Sequence, residues 1–449
     1  MNSSQNKNQT KEKINPYEFI KLPDKKRKQY EDEDKHTGVI EYTIKTYTPL
    51  FIPNSSTDKA FKISDEVLQK KSEEHKSYDF YSYTMLNENE RYDEIYHQPV
   101  IPGSEVRGMV RNLYETLTDS CMSGLSENEI PEVSLPKKFQ KKLADVKIVK
   151  ESTIGELAGE FAPCKDKNNM CPACALFGTI GEGIASASKL RFTDLTPLEY
   201  QEDAKMYYDE NVTLNILGQP MTGNTKKYLK KPQAATEFWS YNYYISKAGE
   251  VVSKPGVLSG RKYYWHYPKC RKLSKTPGVT SGKAENQNCS IRPLKSNTVF
   301  VGKIFFEDVS EKQLSELIWI VNGGNIDNVQ AGKENNRVDI CYKLGLAKPL
   351  GLGSVKCSVN RVVERVVERV VELCDGSIQY KETDIAEKYI GRNYKENRFS
   401  KTNQDIILEL CNYYSKTGVE IAYTNKKDSP DKSNKSYGKN NRSRRQFRR

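Results

Sequence analysis

The sequence predicts an α+β fold with a ferredoxin-like core, the split β-α-β arrangement, and three observations predict it. Residues 38–52 and 297–309 alternate apolar and polar side chains as half-buried strands do. Residues 104–117 and 310–322 repeat apolar side chains at helical spacing. Further strand-like runs follow each helix, at 187–195 and 354–363, so strand, helix, strand occurs twice. The RNA-recognition module shares this layout, but no aromatic RNP-type signature stands on the candidate strands, which argues against an ordinary member of that class.

Residues 1–36 are a polar extension with one short apolar patch, INPYEFIKLP. The first strand sets Ile40, Tyr42 and Ile44 against Glu41, Thr43 and Lys45. A polar loop, 53–98, leads to PVIPGSEVRGMVRNLYETL. There Pro102-Gly103 signals a turn and Ser104 is the expected N-cap. Val106, Met109, Val110, Leu113, Tyr114 and Leu117 form one apolar face, while Arg107 and Arg111 lie a turn apart on another. Gly108 costs about 1 kcal/mol of helix propensity relative to alanine, yet it lets something approach the backbone. A helix N-terminus with two guanidinium groups suits an anion, phosphate above all; two solvated surface charges are the equal alternative.

Residues 120–185 read as an insertion, and 206–295, rich in Lys, Tyr, Trp and Gly, as projecting loops and hairpins. In the second of these, FWSYNYYISKAGEVVSKPGVLSGRKYYWHYP is a candidate thumb in which Arg261 and Lys262 could hold phosphate and aromatics could stack on bases. Tyr263, Trp265 and His266 fit a buried strand slightly better. The second helix is capped by Ser310 and carries Leu314, Leu317, Ile318 and Val321 toward a core. A glycine loop, LGLAKPLGLGSVK, runs into the last strand. The repeat RVVERVVERVVE, 361–372, reads as strand through about residue 365, with the rest open and no function attached. The expected organisation is thus an extension (1–36), a main domain (37–375), a C-terminal extension (376–425) and a basic tail (426–449).

That tail holds ten Lys/Arg against Asp428 and Asp431, so +8 of the net +12 resides there and the body is unremarkable in charge. Its composition suits a disordered segment, and its charge alone does not separate nucleic-acid binding from solvation. No apolar run reaches membrane-span length and the start lacks a signal-peptide core, so a cytoplasmic protein without membrane partners is expected. In a reduced compartment the ten cysteines are expected as thiols or metal ligands. CKDKNNMCPAC supplies Cys164, Cys171 and Cys174, the last two as a C-x-x-C knuckle suited to tetrahedral zinc. Cys121 is the nearest fourth ligand, with His97, His266 and Cys270 as more distant options and buried free thiols as the alternative to metal. Without a carboxylate motif beside it, the site reads as structural zinc.

Several segments, in order, point to one family. PVIPGSEVRGMVRN and the later LGLAKPLGLGSVK resemble the two hallmark motifs of the RAMP superfamily of CRISPR-associated proteins. INPYEFIKLPDK, CPACALFG, SKLRFTDL, GRKYYWHYP and FVGKIFFEDVSEKQLSELIWIV are similar to the branch that contains the backbone subunits of type III effector complexes. The resemblance runs from about residue 14 to about residue 360. It implies a ferredoxin-like core with a thumb, copies stacked along a CRISPR RNA, complementary target RNA, and other effector subunits as partners. It carries Ser104, Arg107 and Arg111 over as phosphate contacts, which suits a protein that must hold a guide without reading its sequence. Gly345, Gly351 and Gly353 would let the chain approach a ribose-phosphate, flanked by Lys348 and Lys356. It also implies zinc in the cysteine insertion. Two departures stand out: Glu105 puts a negative charge near the expected phosphate, and Ser188-Lys189 replaces a common Gly-Arg pair.

Type III backbone subunits can cut target RNA with a loop aspartate between the first strand and the IPGS helix. The resemblance therefore implies a possible endoribonuclease using Mg2+ or Mn2+. Asp58, Asp79 and Asp93 lie in that loop, and Asp79, before the hairpin-like FYSYTML…YDEIYHQPVIPGS, is the best match. The alternatives are a passive guide-holding scaffold with a separate nuclease, a repeat-processing endoribonuclease using a histidine, and a zinc-stabilised interaction scaffold without an RNA role.

Overall fold

The strand–helix–strand repeats assemble into one antiparallel sheet in the computed structural model. It describes residues 13–27, 35–54, 60, 76–85, 95–125, 153–181, 183–214, 217, 225–268, 289–325, 338–370, 378–390, 399–416 and 419–421. The core elements are β1 (Lys35–Thr46), α1 (Gly103–Leu117), β2 (Leu190–Phe192), β3 (Val299–Ser310), α2 (Glu311–Val321) and β4 (Ser354–Val370). Their spatial order is β4-β1-β3-β2, every pair antiparallel. β1 is central, with Ile40 opposite Ile304 on one side and Val362 on the other.

Local pattern accounts for these elements. Ile40, Tyr42 and Ile44 are buried and the residues between them are not, as their alternation requires. Val106, Val110, Leu113, Tyr114 and Leu117 of α1 are buried, as are Leu314, Leu317, Ile318 and Val321 of α2. Ser310 caps α2 in a capping box with Gln313. The Tyr114 hydroxyl donates to Glu316 Oε2 at 2.6 Å, joining the two helices inside the core.

α1 starts differently from expectation. Ser104 is exposed and makes no cap; Pro102 occupies the N-cap position without a side-chain bond. The Gly103 N–H instead donates to Asp194 Oδ1 at 2.8 Å, from the loop after β2. Gly103 is needed for this contact, because a Cβ there would lie 2.6 Å from the carbonyl oxygens of Phe192 and Thr193. Asp194→Ala is expected to lower the unfolding free energy by about 1 kcal/mol, as loss of a cap does. Ser104→Ala should leave it within about 0.5 kcal/mol, as at ordinary surface positions. Denaturant unfolding of both variants checks this.

Two further segments extend the reading of the chain. The valine repeat is strand through Val370, paired with Ile378–Asp384, and Val366 and Val367 are exposed. Beyond it, the helix Lys401–Cys411 buries Ile407, Leu410 and Cys411 in the main core, beside Phe399 and Tyr413. Glu420–Ile421 then pairs in parallel with Lys13–Ile14. The candidate thumb forms hairpins around Leu229, Trp239 and Tyr241. It returns through Arg261–Tyr264, which pairs with Tyr17–Ile20. Among the described residues no helix is long and apolar enough to cross a membrane.

Candidate metal centre and adjoining cleft

Four cysteines converge beside α1. Cys121 lies just past the helix, Cys164 follows the turn Gly159–Phe161, and Cys171 and Cys174 start the helix Pro172–Phe177. All four are buried, and their sulfurs lie within 4.8 Å of one another. Cys121 Sγ is 3.4 Å from Cys174 Sγ and 3.6 Å from Cys171 Sγ. These spacings are far beyond an S–S bond of about 2.05 Å. They approach the edge of a tetrahedron with metal–sulfur distances of about 2.3 Å, roughly 3.8 Å. The cluster therefore fits a metal ion such as zinc, and Cys121 completes the set. Hydrogen bonds from Cys121, Cys164 and Cys174 pull the Cys171 thiol down, favouring the thiolate that binds metal. Two cations face the sulfurs: Lys26 Nζ is 3.6 Å from Cys164 Sγ, and Arg111 Nη2 is 3.8 Å from Cys174 Sγ. They offset the surplus negative charge of four thiolates on a divalent ion.

The other candidate ligands are elsewhere. Cys270 lies outside the described residues. His266 is fully buried, with Nε2 donating to the Cys341 carbonyl and Nδ1 facing Ser354 Oγ, both at 2.9 Å. Burial, then Lys343, push its pKa well below 6.5. The unfolded chain therefore takes up a proton first, and the stability that neutral His266 contributes is lost as pH falls below about 6.5. Wild type should lose stability relative to His266→Gln by up to about 1.4 kcal/mol per pH unit in that range. Unfolding of both proteins at pH 7 and pH 5 measures it.

The predicted arginines turn inward. Arg107 donates to the Phe177 carbonyl and lies over its ring, 5.8 Å from the centroid. Arg111 donates to Glu115 Oε1 at 2.9 Å and to the Gly178 carbonyl at 3.0 Å. Arg261 is 5% exposed and donates to Glu115 Oε2 at 3.3 Å and to the carbonyls of Ser120 and Cys121. Arg111 and Arg261 thus bind the cysteine insertion to α1 instead of facing a ligand. Glu115, which both arginines share, does not stand out in the sequence; its i,i+4 spacing from Arg111 is the one signal that points to it.

The lysine-bearing surface lies on an adjoining face of α1. A cleft of about 370 Å³ opens between α1, the strand Arg261–Tyr264 and the glycine loop. Ser104, Lys262 and Lys348 all line it, with Lys343 and Glu105. Gly108 is on its wall, and a Cβ there would meet nothing within 4 Å, so the backbone is open to the cleft. Lys262 Nζ sits over Tyr17 at 4.0 Å and Tyr264 at 5.1 Å. Partial burial lowers the pKa of Lys262, with Lys227 adding to the effect. Burial also lowers that of Lys348, against the opposing pull of Glu105. Tyr263, Trp265 and His266 are buried, but only Tyr263 lies in a strand, which ends at Tyr264.

The glycine loop is tighter than expected. A Cβ on Gly353 would lie 1.9 Å from the Leu344 carbonyl oxygen, and on Gly345 2.3 Å from that of Phe51. These two glycines serve packing of the chain on itself. Gly351 is buried, and its carbonyl accepts from Thr48 and Lys343. Lys356 is paired with Asp339 at 3.0 Å.

Asp79 is not on an exposed loop. It is 2% exposed, and its Oδ2 accepts from Arg292 Nη1 at 3.1 Å while Oδ1 accepts from the Phe80 N–H at 2.9 Å. Burial raises its carboxyl pKa and Arg292 opposes the rise. Asp79 is fully enclosed with Arg292, which is itself 0% exposed, as in a structural ion pair, and is not the exposed loop carboxylate that the resemblance implied. Asp58 and Asp93 lie outside the described residues.

Fold and site together define an α+β protein with a four-cysteine cluster and a lysine-bearing cleft on adjoining faces of α1. The family model of the RAMP superfamily matches residues 43–436, and the chain belongs to that superfamily. Membership implies a CRISPR-associated, RNA-binding role. The match continues past residue 375, in keeping with the C-terminal helix in the core. No curated protein matches this chain.

Proposed function

We propose that this chain is a CRISPR RNA-binding backbone subunit of a multi-subunit, RNA-guided effector complex of the type III kind. It holds the guide by its phosphates and presents it to complementary target RNA, with copies stacked along the guide beside other effector subunits. The strand order β4-β1-β3-β2 supports a ferredoxin-like core, and the hairpins over 229–258 support a thumb. The observation that carries the reading is the cleft, where Ser104, the open backbone at Gly108, Lys262 and Lys348 meet. Lysine charge and a serine hydroxyl beside a wall without a side chain at Gly108 can hold phosphate without reading bases. Arg107, half-buried at the cysteine side, and Lys356, paired with Asp339, are secondary candidates for contact. Zinc in the four-cysteine centre is structural in this reading.

A passive guide-holding role, with target cleavage by another subunit, is favoured over cleavage by Asp79 because that carboxylate is enclosed with Arg292. Repeat processing by a histidine is disfavoured at His266, whose two ring nitrogens are engaged inside the core.

Lys348→Glu should weaken binding of single-stranded RNA of any sequence and reduce the slope of log affinity against log salt by about 0.7 for each phosphate that is no longer neutralised. Fluorescence anisotropy over a salt series tests it. Unchanged affinity and slope in Lys348→Glu and Lys262→Glu would remove the cleft from the guide path. RNA-free wild type that binds no RNA would sink the function itself.

A further inference from the structure

Between the cysteine centre and the cleft runs a buried charged array that guide holding alone does not explain. At the metal end, Arg111 Nη2 is 3.8 Å from Cys174 Sγ, and Arg261 Nη2 donates to the Cys121 carbonyl at 3.2 Å. Both guanidinium groups therefore touch metal-site residues. In the middle, Glu115 is shared: Oε1 accepts from Arg111 at 2.9 Å and Oε2 from Arg261 at 3.3 Å. At the cleft end, Arg261 precedes Lys262 and Tyr263 on one strand. The Tyr263 hydroxyl shares a 2.6 Å hydrogen bond with Thr116 Oγ1 and donates to the Asn112 carbonyl at 3.0 Å. Lys262, Tyr263 and Asn112 all line the cleft.

We infer that Glu115 and Arg261 are positioning residues that couple metal occupancy of the four-cysteine centre to RNA binding in the cleft. The inference rests on the guide-holding reading. Its physical basis is that Glu115 and Arg261 are 4% and 5% exposed. A carboxylate so enclosed tolerates no half-made partnership, because an unpaired charge there has neither water nor counter-charge. The array therefore has one satisfied arrangement, and it requires the Cys121 carbonyl and Cys174 in place. Metal holds those two residues; the strand carrying Lys262 is held at the other end. Ligation at the centre and anion binding in the cleft then favour the same arrangement. By linkage each must strengthen the other by an equal factor.

The test uses the full chain with Co2+ as metal probe and a short oligouridylate as RNA probe. The thiolate-to-cobalt absorption band, titrated against a competing chelator, gives Co2+ affinity with and without saturating oligouridylate. Wild type is expected to bind Co2+ about tenfold more tightly with RNA bound, within the usual range of coupling between sites. Glu115→Gln should keep the band of four thiolates and lose most of the coupling. Arg261→Lys, which retains the charge, provides a second variant should the first not fold, and is expected to fall between. A purely structural role predicts lower stability with the coupling intact. Equal Co2+ affinity with and without bound oligouridylate in wild type overturns the inference, as does full coupling in both variants. Failure of metal-loaded wild type to bind oligouridylate would instead overturn the guide-holding reading, and this inference with it.

Discussion

Replacing Cys171 with serine is expected to abolish stoichiometric zinc and unfold the insertion around it. The segment has little regular structure of its own, so its local fold depends on metal even though Arg111, Arg261 and the buried Leu176 and Phe177 tie it to the core. The helix Pro172–Phe177 is short, and Lys167–Asn169 is a single 3-10 turn. Isolated helices of that length are not stable in water. Structural zinc contributes about 10–16 kcal/mol in small zinc-binding peptides at pH 7, far more than a helix cap or a surface ion pair supplies. Metal analysis should give one zinc per wild-type chain and none in the variant. Hydrogen exchange over 159–178 should become fast, with Tm lowered. Cys289→Ser, outside the cluster, should keep its zinc. Full zinc in Cys171→Ser would show that this set of four is not the metal site.

The second large effect is expected at Asp79 and Arg292. Removing either partner strands a buried charge and should cost about 3–5 kcal/mol. Arg292 also donates to the Ile95 carbonyl and lies 4.2 Å from the centre of the Tyr96 ring, so its removal disturbs the loop before α1 as well. The double variant Asp79→Leu/Arg292→Met should recover a good part of that loss, because no charge is left to desolvate. Denaturant unfolding of the two single variants and the double variant measures the coupling. If Asp79→Asn abolished target-RNA cleavage by the assembled complex at unchanged stability, Asp79 would be a catalytic group and the structural assignment would fail.

Both cases show where sequence reading reaches and where it stops. Strand and helix faces are legible because burial follows a local period: Ile40, Tyr42 and Ile44 in β1, Leu314, Leu317 and Ile318 in α2. The C-x-x-C knuckle is legible for the same reason, since Cys171 and Cys174 are neighbours on one helix turn. Asp79 is misplaced by sequence because nothing near it in the chain reveals its partner, which is 213 positions away. The start of α1 is misassigned to Ser104 because Asp194 is 91 positions from Gly103. Arg107 and Arg111 have the charge and spacing of phosphate ligands, but the carbonyls of Phe177 and Gly178 claim them.

The α+β class, the order of strands and helices, the C-x-x-C knuckle and the family motifs are all written in the chain itself. It took the packed structure to show that Cys121 joins the three expected cysteines in one buried cluster, that Arg261 and Asp79 are interior, and that Ser104, Lys262 and Lys348 share one cleft. The physical reason is that periodicity and capping act over a few residues, so a short stretch of chain reports them. Ion pairs, metal sets and clefts depend on which distant segments pack together, and the same charged residue serves surface or core according to the neighbour it receives.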